Sequence, residues 1–338
     1  MISCRERILS ALEFRNPDKI PVIYHPSPAG LHIHGQKLFD LFNEFPPDNQ
    51  INFDVIPKPA PGTVQADGGY HELKTDAWGT EWEYRIFGIQ GHPSRYPFAN
   101  WADAEKFVFP RFEITQEQKQ SQLETKQEYL TSGCWVSIFE KLHALRPFEE
   151  VLMDVFTEDP ALLRFIDRMV EYWEQVIAAW LDAGIDVICF GDDWGMQTAP
   201  LVSPELFRKI FKPRYERLMR PVRAAGAKIQ FHSCGQVGDI GNDLLDMGID
   251  IYWPQIRLYE NNFDFVRRSR EERVTLLIHP DRQHLIPEGT PAQIDAAVRK
   301  YADTYHELGG GGIFNVEIEN DAPWENVKTL IEAVHRYR

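Results

Sequence analysis

Residues 159–193 read DPALLRFIDRMVEYWEQVIAAWLDAGIDVICFGDD, and they hold one complete unit of the fold. Asp159 offers a side-chain cap and Pro160 suits the first helical turn, so a helix is expected over Pro160–Ala183. Leu163, Ile166, Met169, Val170, Trp173, Ile177 and Trp180 recur along it at helical spacing and form one apolar stripe. Gly184 closes the helix. The chain then runs into Asp186–Phe190, a short apolar stretch suited to a strand buried on both faces, and ends on Gly191-Asp192-Asp193.

Outward from this unit the same alternation repeats. Eight strands are expected: Ile20–His25, Ile51–Ile56, Cys134–Phe139, Asp186–Phe190, Lys228–His232, Ile249–Trp253, Thr275–His279 and Gly312–Val316. Between them lie amphipathic helices. One is opened by the capping-box pattern Thr290-Pro-Ala-Gln293 and ended by Gly309; another, Pro323–Tyr337, carries Val327, Leu330, Ile331 and Val334 on one face. Strands alternating with helices imply a parallel α/β sheet, and eight of them imply a TIM (β/α)8 barrel. Gly309-Gly-Gly-Gly312 resembles a phosphate loop, but it precedes a strand and so fits a tight helix-to-strand turn at the lower face.

Composition agrees with one large globular unit. The chain has 338 residues, 43% of them hydrophobic, and no linker divides it, so residues 1–338 are read as a single domain. No apolar run reaches the roughly 18 residues a membrane span needs, and no apolar signal core follows Met1, which points to a cytoplasmic protein. Cys4, Cys134, Cys189 and Cys234 are scattered, as in a reducing compartment. The net charge of −15 argues against nucleic-acid or anionic-membrane partners.

Residues 57–112 break the alternation. This insertion is rich in Gly, Pro, Trp and Tyr, and Asp76-Ala-Trp-Gly-Thr-Glu-Trp-Glu-Tyr84 reads as a small hairpin. Placed after an early strand, it suits a lid or wall over the barrel's upper rim. Trp82, Tyr84 and Trp101 suit either a homodimer face or packing of this flap.

Active-site groups of such barrels gather at the carboxyl ends of the strands. Here those ends carry His25, Glu140, Asp192 with Asp193, His232 with Cys234, Trp253 with Gln255, His279 with Asp281, and Glu317 with Glu319. In Lys228-Ile-Gln-Phe-His232-Ser-Cys234-Gly235 the histidine and cysteine stand two apart on extended chain and face one side. Imidazole and thiolate together suit zinc, and a catalytic zinc needs three protein ligands. Glu317 is the expected third, since the last strand meets the first and its loop overhangs the centre; Glu319, Glu140, Asp193 and Cys189 are the alternatives. Of Asp192 and Asp193, one is expected to cap or pair structurally while the other faces the cavity.

These residues resemble the uroporphyrinogen decarboxylase superfamily, and within it the corrinoid-linked methyltransferases. The resemblance runs from Glu6-Arg7-Ile-Leu-Ser-Ala-Leu-Glu-Phe-Arg-Asn-Pro17-Asp18 through Asp76-Ala-Trp78-Gly79, Phe139-Glu140, Gly191-Asp192-Asp193, Phe231-His232-Ser233-Cys234-Gly235, Asp281-Arg-Gln283 and Asp321-Ala-Pro323. It implies a TIM barrel and zinc at His232 and Cys234. The reaction it implies is movement of a methyl group between a corrinoid, carried by a partner protein, and a small thiol or other acceptor. Glu140 and Asp193 would act in catalysis, and Asp192, Gln255, His279, Asp281 and His25 would line the substrate. True decarboxylases carry an arginine-rich segment after the first strand, where this chain reads His25-Pro-Ser-Pro-Ala-Gly30; the methyltransferases' later zinc-binding cysteine is replaced by Asn315-Val-Glu317-Ile-Glu319. Two other readings stand beside this one: a metal-independent lyase of an anionic substrate with Asp193 or Asp281 as acid, and a non-catalytic corrinoid-binding subunit.

Overall fold

The computed structural model describes residues 2–51, 55–259 and 263–338. Ten strands are present among them: β1 Val22–Pro26, β2 Glu72–Thr75, β3 Glu81–Tyr84, β4 His92–Arg95, β5 Ser132–Val136, β6 Val187–Gly191, β7 Lys228–Ser233, β8 Ile251–Pro254, β9 Thr275–Ile278 and β10 Gly312–Ile318. Seven form one parallel sheet in the order β1-β10-β9-β8-β7-β6-β5, with helices in the crossovers. Neighbours in that sheet follow the chain order, and the first strand pairs with the last, so the fold is TIM-barrel-like. The expected strand over residues 51–56 includes 52–54, which lie outside the described residues. On that side of β1, Asp48 and Asn49 serve its edge: Val22 N–H donates to Asp48 Oδ2 at 2.9 Å and Tyr24 N–H to Asn49 Oδ1 at 2.9 Å.

Strand alternation divides the core in two. Ile188, Phe190, Ile229, Phe231 and Tyr252 pack outward against the helices, whereas Val187, Cys189, Ile251, Leu277 and Ile313 meet inside the barrel. The N-terminal helix Cys4–Leu12 closes the amino end of the interior with Ile8, Ala11 and Leu12.

The helix read from residues 159–183 spans Pro160–Asp182, and Asp159 accepts from Ala161 N–H at 2.7 Å and Leu162 N–H at 3.0 Å. Its buried face is broader than the expected stripe: Leu162, Phe165 and Val176 are fully enclosed, while Leu163 and Trp180 are partly covered. The helix has two partners rather than one. Phe165 stacks on Trp101 and Phe109 of the insertion while Ile166 and Val170 join the main core.

The insertion forms a three-stranded antiparallel sheet, β2-β3-β4, one strand more than the expected hairpin. It touches the helices that start at the carboxyl ends of β1 and β5. His32 Nδ1 meets the Pro57 carbonyl at 2.9 Å, and Thr80 Oγ1 donates to the Ala144 carbonyl at 2.8 Å. Trp101 is only 4% exposed and its Nε1 donates to Asp154, so it packs the flap and cannot serve a dimer face; Trp82 and Tyr84 are half-buried. Gly309 is a left-handed helix cap after Pro291–Leu308, so the glycine run makes the expected tight turn.

Candidate functional site

The site is built where the loops after β6 and β7 touch. Gly235 adopts φ +80°, and a Cβ there would collide with the Gly195 carbonyl, so the turn after Cys234 requires glycine. Gln236 N–H donates to the Met196 carbonyl at 2.6 Å, locking the two loops together. This contact carries Asp193 to the end of β7, where its Oδ1 accepts from Cys234 N–H at 2.7 Å.

His232 and Cys234 converge as their spacing predicts. His232 Nε2 lies 3.3 Å from Cys234 Sγ and 3.3 Å from Asp193 Oδ1, and the three donor atoms lie within 4.8 Å of one another. The other ring nitrogen, Nδ1, is 3.0 Å from the Trp253 carbonyl, an acceptor that keeps a proton on Nδ1 and turns Nε2 toward the cluster. Burial works against the imidazolium, but hydrogen bonds and charge from Asp193 and Cys234 outweigh it and push His232 up to about 10. Burial likewise raises Asp193, and His232 and Cys234 overcome it, holding its carboxyl below the usual range. The point between the three side chains therefore favours positive charge.

Glu317, the expected third ligand, does not join this cluster. It is held by an ion pair with Arg282, by Trp253 Nε1 at 3.1 Å and by Asn315 Nδ2 at 2.9 Å. Asp193, one of the alternatives, takes that place. Its neighbour Asp192 is fully buried and accepts from Ser137 Oγ at 2.7 Å, Ile138 N–H at 2.7 Å, Glu140 N–H at 2.6 Å and the Tyr215 hydroxyl. Asp192 is thus the structural anchor and Asp193 the group that faces the site. Glu140 stands at the start of the helix Phe139–Leu145, where burial and the charges of Asp192 and Asp193 raise its carboxyl to about 8.

The remaining expected residues divide by depth. His25 sits at the mouth, its Nδ1 2.5 Å from Asn315 Oδ1 and its ring stacked on Trp253 at 5.5 Å. Gln255 accepts from Gly235 N–H at 3.1 Å and donates to Gln283 Oε1 at 2.6 Å, which supports the turn after Cys234. His279 is buried with Nε2 2.9 Å from the Pro254 carbonyl. Asp281 turns away to Arg257 and His284, at 3.2 Å each. Cys189 and Glu319 lie outside the cluster.

Two residues escaped the sequence reading. Arg282 bridges the site, pairing with Glu317 while Nη2 points at Cys234 Sγ at 3.5 Å; its position just past β9, beside Asp281, was the available signal. Trp135 enters the barrel because β5 bulges: Cys134 has φ +63° and the β5–β6 register shifts between Gly133 and Trp135. Nothing in simple alternation marks that shift.

A TIM-barrel-like α/β chain with a nitrogen, a sulfur and an oxygen donor grouped at its mouth defines the class, and comparison with known proteins narrows it. Residues 122–337 match the family model for uroporphyrinogen decarboxylase (URO-D), and the chain belongs to that family. Two Thermus thermophilus proteins, each named uroporphyrinogen decarboxylase and from different strains, are 26% and 25% identical over 199 residues. That stretch covers 56% of this chain and 52% of each relative, so the chain spans about half the length of the relatives it matches. A solved methyltransferase from Methanosarcina mazei shares the fold with a TM-score of 0.67 and 18% identity, covering 100% of this chain and 99% of that one. Among the described residues no helix is long and apolar enough to cross a membrane.

Proposed function

We propose that this chain is a zinc-dependent methyltransferase that moves a methyl group between a corrinoid on a partner protein and a small thiol or other acceptor. One observation carries the reading: His232 Nε2, Cys234 Sγ and Asp193 Oδ1 converge at the mouth, with Nε2 3.3 Å from each of the other two. A tetrahedral zinc with ordinary bond lengths would set its nitrogen about 3.4 Å from a carboxylate oxygen and about 3.6 Å from a thiolate sulfur. The donor set fits, since three protein ligands are what a catalytic zinc would take. A zinc ion there would supply Lewis acidity, lowering the pKa of a bound thiol and holding it as the anion.

The chain's own groups then have separable tasks. The Trp253 carbonyl fixes the His232 ring, and Gln255 holds the turn that presents Cys234. Glu140, its carboxyl raised to about 8, can donate a hydrogen bond that orients the small molecule without taking part in the proton balance of the transfer. Arg282, ion-paired to Glu317, brings a fixed cation beside the sulfur. In this reading residues 1–338 are one barrel unit, and residues 57–112 shield the mouth from water. The methyltransferase reading is supported by the family and by the fold shared with a methyltransferase, and the corrinoid partner by the sequence resemblance centred on Phe231-His232-Ser233-Cys234-Gly235. The lack of arginine in His25-Pro-Ser-Pro-Ala-Gly30 weighs against a tetrapyrrole's carboxylates as substrate.

Metal content of the purified chain and methyl transfer from methylcobalamin to a small thiol, followed by the corrinoid's absorbance, test the reading. We expect one zinc per chain and transfer that both vanish in His232→Ala. A metal-free wild-type chain, or transfer undiminished in that variant, overturns it.

A further inference from the structure

Beneath the cluster the described side chains leave the barrel unfilled. A cavity of about 250 Å³ opens among Ile23, Val187, Cys189, Ile251, Leu277 and Ile313, side chains that in a barrel of this type ordinarily close the interior in layers. These positions lie one step down the same inward-facing rows that carry the site: Ile23 precedes His25 by two residues, and Ile251 precedes Trp253 by two. Two residues of strand is roughly 6.6 Å, so the cavity begins within one side chain's length of the donor cluster.

Its upper wall is aromatic. Trp135, Trp253 and His25 line it; Trp253 and His25 are stacked, and the Trp135 and Trp253 rings meet edge-on with centroids 6.4 Å apart. The Trp253 ring is also 4.5 Å from the His232 ring, so one indole separates cavity from cluster. Gly191 makes room for this wall, because any side chain there would strike the Trp135 ring. Trp135 remains 42% exposed, its ring facing space that the described side chains leave free. Protein interiors avoid apolar voids of this size, since stability falls with the volume left empty.

The lining sets the chemistry. Among the described residues that line the cavity none is Asp, Glu, Lys or Arg, and Cys189 is kept as the neutral thiol by burial. Polar contributions come from His25, Asn49, Ser132 and Gln230, and burial holds the His25 imidazole below its usual range. An engineered cavity of 150 Å³ holds benzene, so this one has room for roughly ten non-hydrogen atoms, a ring with substituents but not a tetrapyrrole. An apolar lining without a cationic side chain disfavours an anionic guest, and the aromatic upper wall suits an aromatic ring.

We infer that this cavity binds an uncharged single-ring aromatic group of the substrate. The placement of the reacting atom at His232, Cys234 and Asp193 rests on the methyltransferase reading; the pocket itself does not.

The test titrates the full chain with toluene and, separately, with benzoate, which is the same ring bearing a charge. Binding is read by ligand-observed NMR and by tryptophan fluorescence, and zinc content is measured on the same samples. Toluene should bind at least tenfold more tightly than benzoate. Cys189→Phe, which fills the cavity, should weaken toluene at least tenfold while leaving zinc content and melting cooperativity unchanged. If that variant fails to fold, Ile313→Phe fills the cavity from the opposite wall. Toluene that does not bind, or that binds a folded, filled variant as well as the wild type, overturns the inference. So does benzoate binding as tightly as toluene. A chain that binds toluene but holds no zinc supports the pocket while overturning the metal reading, so the two fail separately.

Discussion

The sharpest test of the donor cluster sets Asp193 against Glu317. Asp193 Oδ1 stands 3.3 Å from His232 Nε2, within about 0.1 Å of the separation that a shared tetrahedral zinc would impose. Glu317 reaches the cluster only indirectly: it accepts from Trp253 Nε1 at 3.1 Å, and the Trp253 carbonyl meets His232 Nδ1 at 3.0 Å. Loss of a group that orients a metal ligand typically weakens the metal by about 10–100-fold, and Glu317 stands one link further out. Glu317→Gln should therefore weaken zinc by no more than about tenfold, or ~1.4 kcal/mol. Asp193→Ala deletes one of three protein donors together with its charge, and should weaken zinc by at least about 100-fold, or ~2.7 kcal/mol. Asp193→Asn keeps an acceptor for Cys234 N–H while removing the anion, so it should fall between the two. Competition against a chromophoric zinc chelator at fixed pH measures all three. Should Glu317→Gln lose more affinity than Asp193→Ala, the ligand set drawn from the geometry is wrong.

Three other outcomes follow from named contacts. Because Glu140 is raised from its ordinary 4.5 to about 8, the folded chain holds a proton that the unfolded chain has lost between those values. This group's contribution to stability therefore falls as pH rises through that window, and Glu140→Gln should be more stable than wild type at pH 9, by on the order of a few kcal/mol, and similar at pH 4. Denaturant melts at both pH values check this, and a gap that does not change with pH refutes it. Gly235→Ala forces φ +80° on a residue with a Cβ and drives that atom into Gly195, so it should separate the loops, lower the melting temperature and reduce zinc content; unaltered metal binding would contradict the account. Asp159→Ala removes the acceptor for Ala161 and Leu162 N–H and should cost about 1 kcal/mol in a chemical melt without changing zinc content.

Much of this protein is legible without its structure because the relevant physics is local. The period of 3.6 in residues 160–182, the Asp159 cap, the Thr290 capping box and the inward pairing of His232 with Cys234 depend on neighbours a few residues apart. Strand ends were less exact. The third expected strand, Cys134–Phe139, is displaced to Ser132–Val136, because the Cys134 bulge breaks the alternation and Phe139 opens a helix instead. The sequence leaves Trp101 either to a dimer face or to packing of the flap, and Phe165, 64 residues away in sequence, decides for packing. The place of Glu317 on the last strand suggests a ligand, but Arg282, arriving on the loop after β9, pairs with it.

By itself the sequence determined the element types, the barrel-like succession of strands and helices, and a histidine and cysteine aimed the same way, since each of these is settled by backbone geometry over a few residues. Tertiary structure alone decided that Asp192 anchors while Asp193 faces the site, that Asp193 rather than Glu317 joins the pair, and that a cavity lies beneath them. Those choices depend on how closely two glycine-lined loops approach and on how completely side chains from separate strands fill a shared interior, and neither is written in any single stretch of chain.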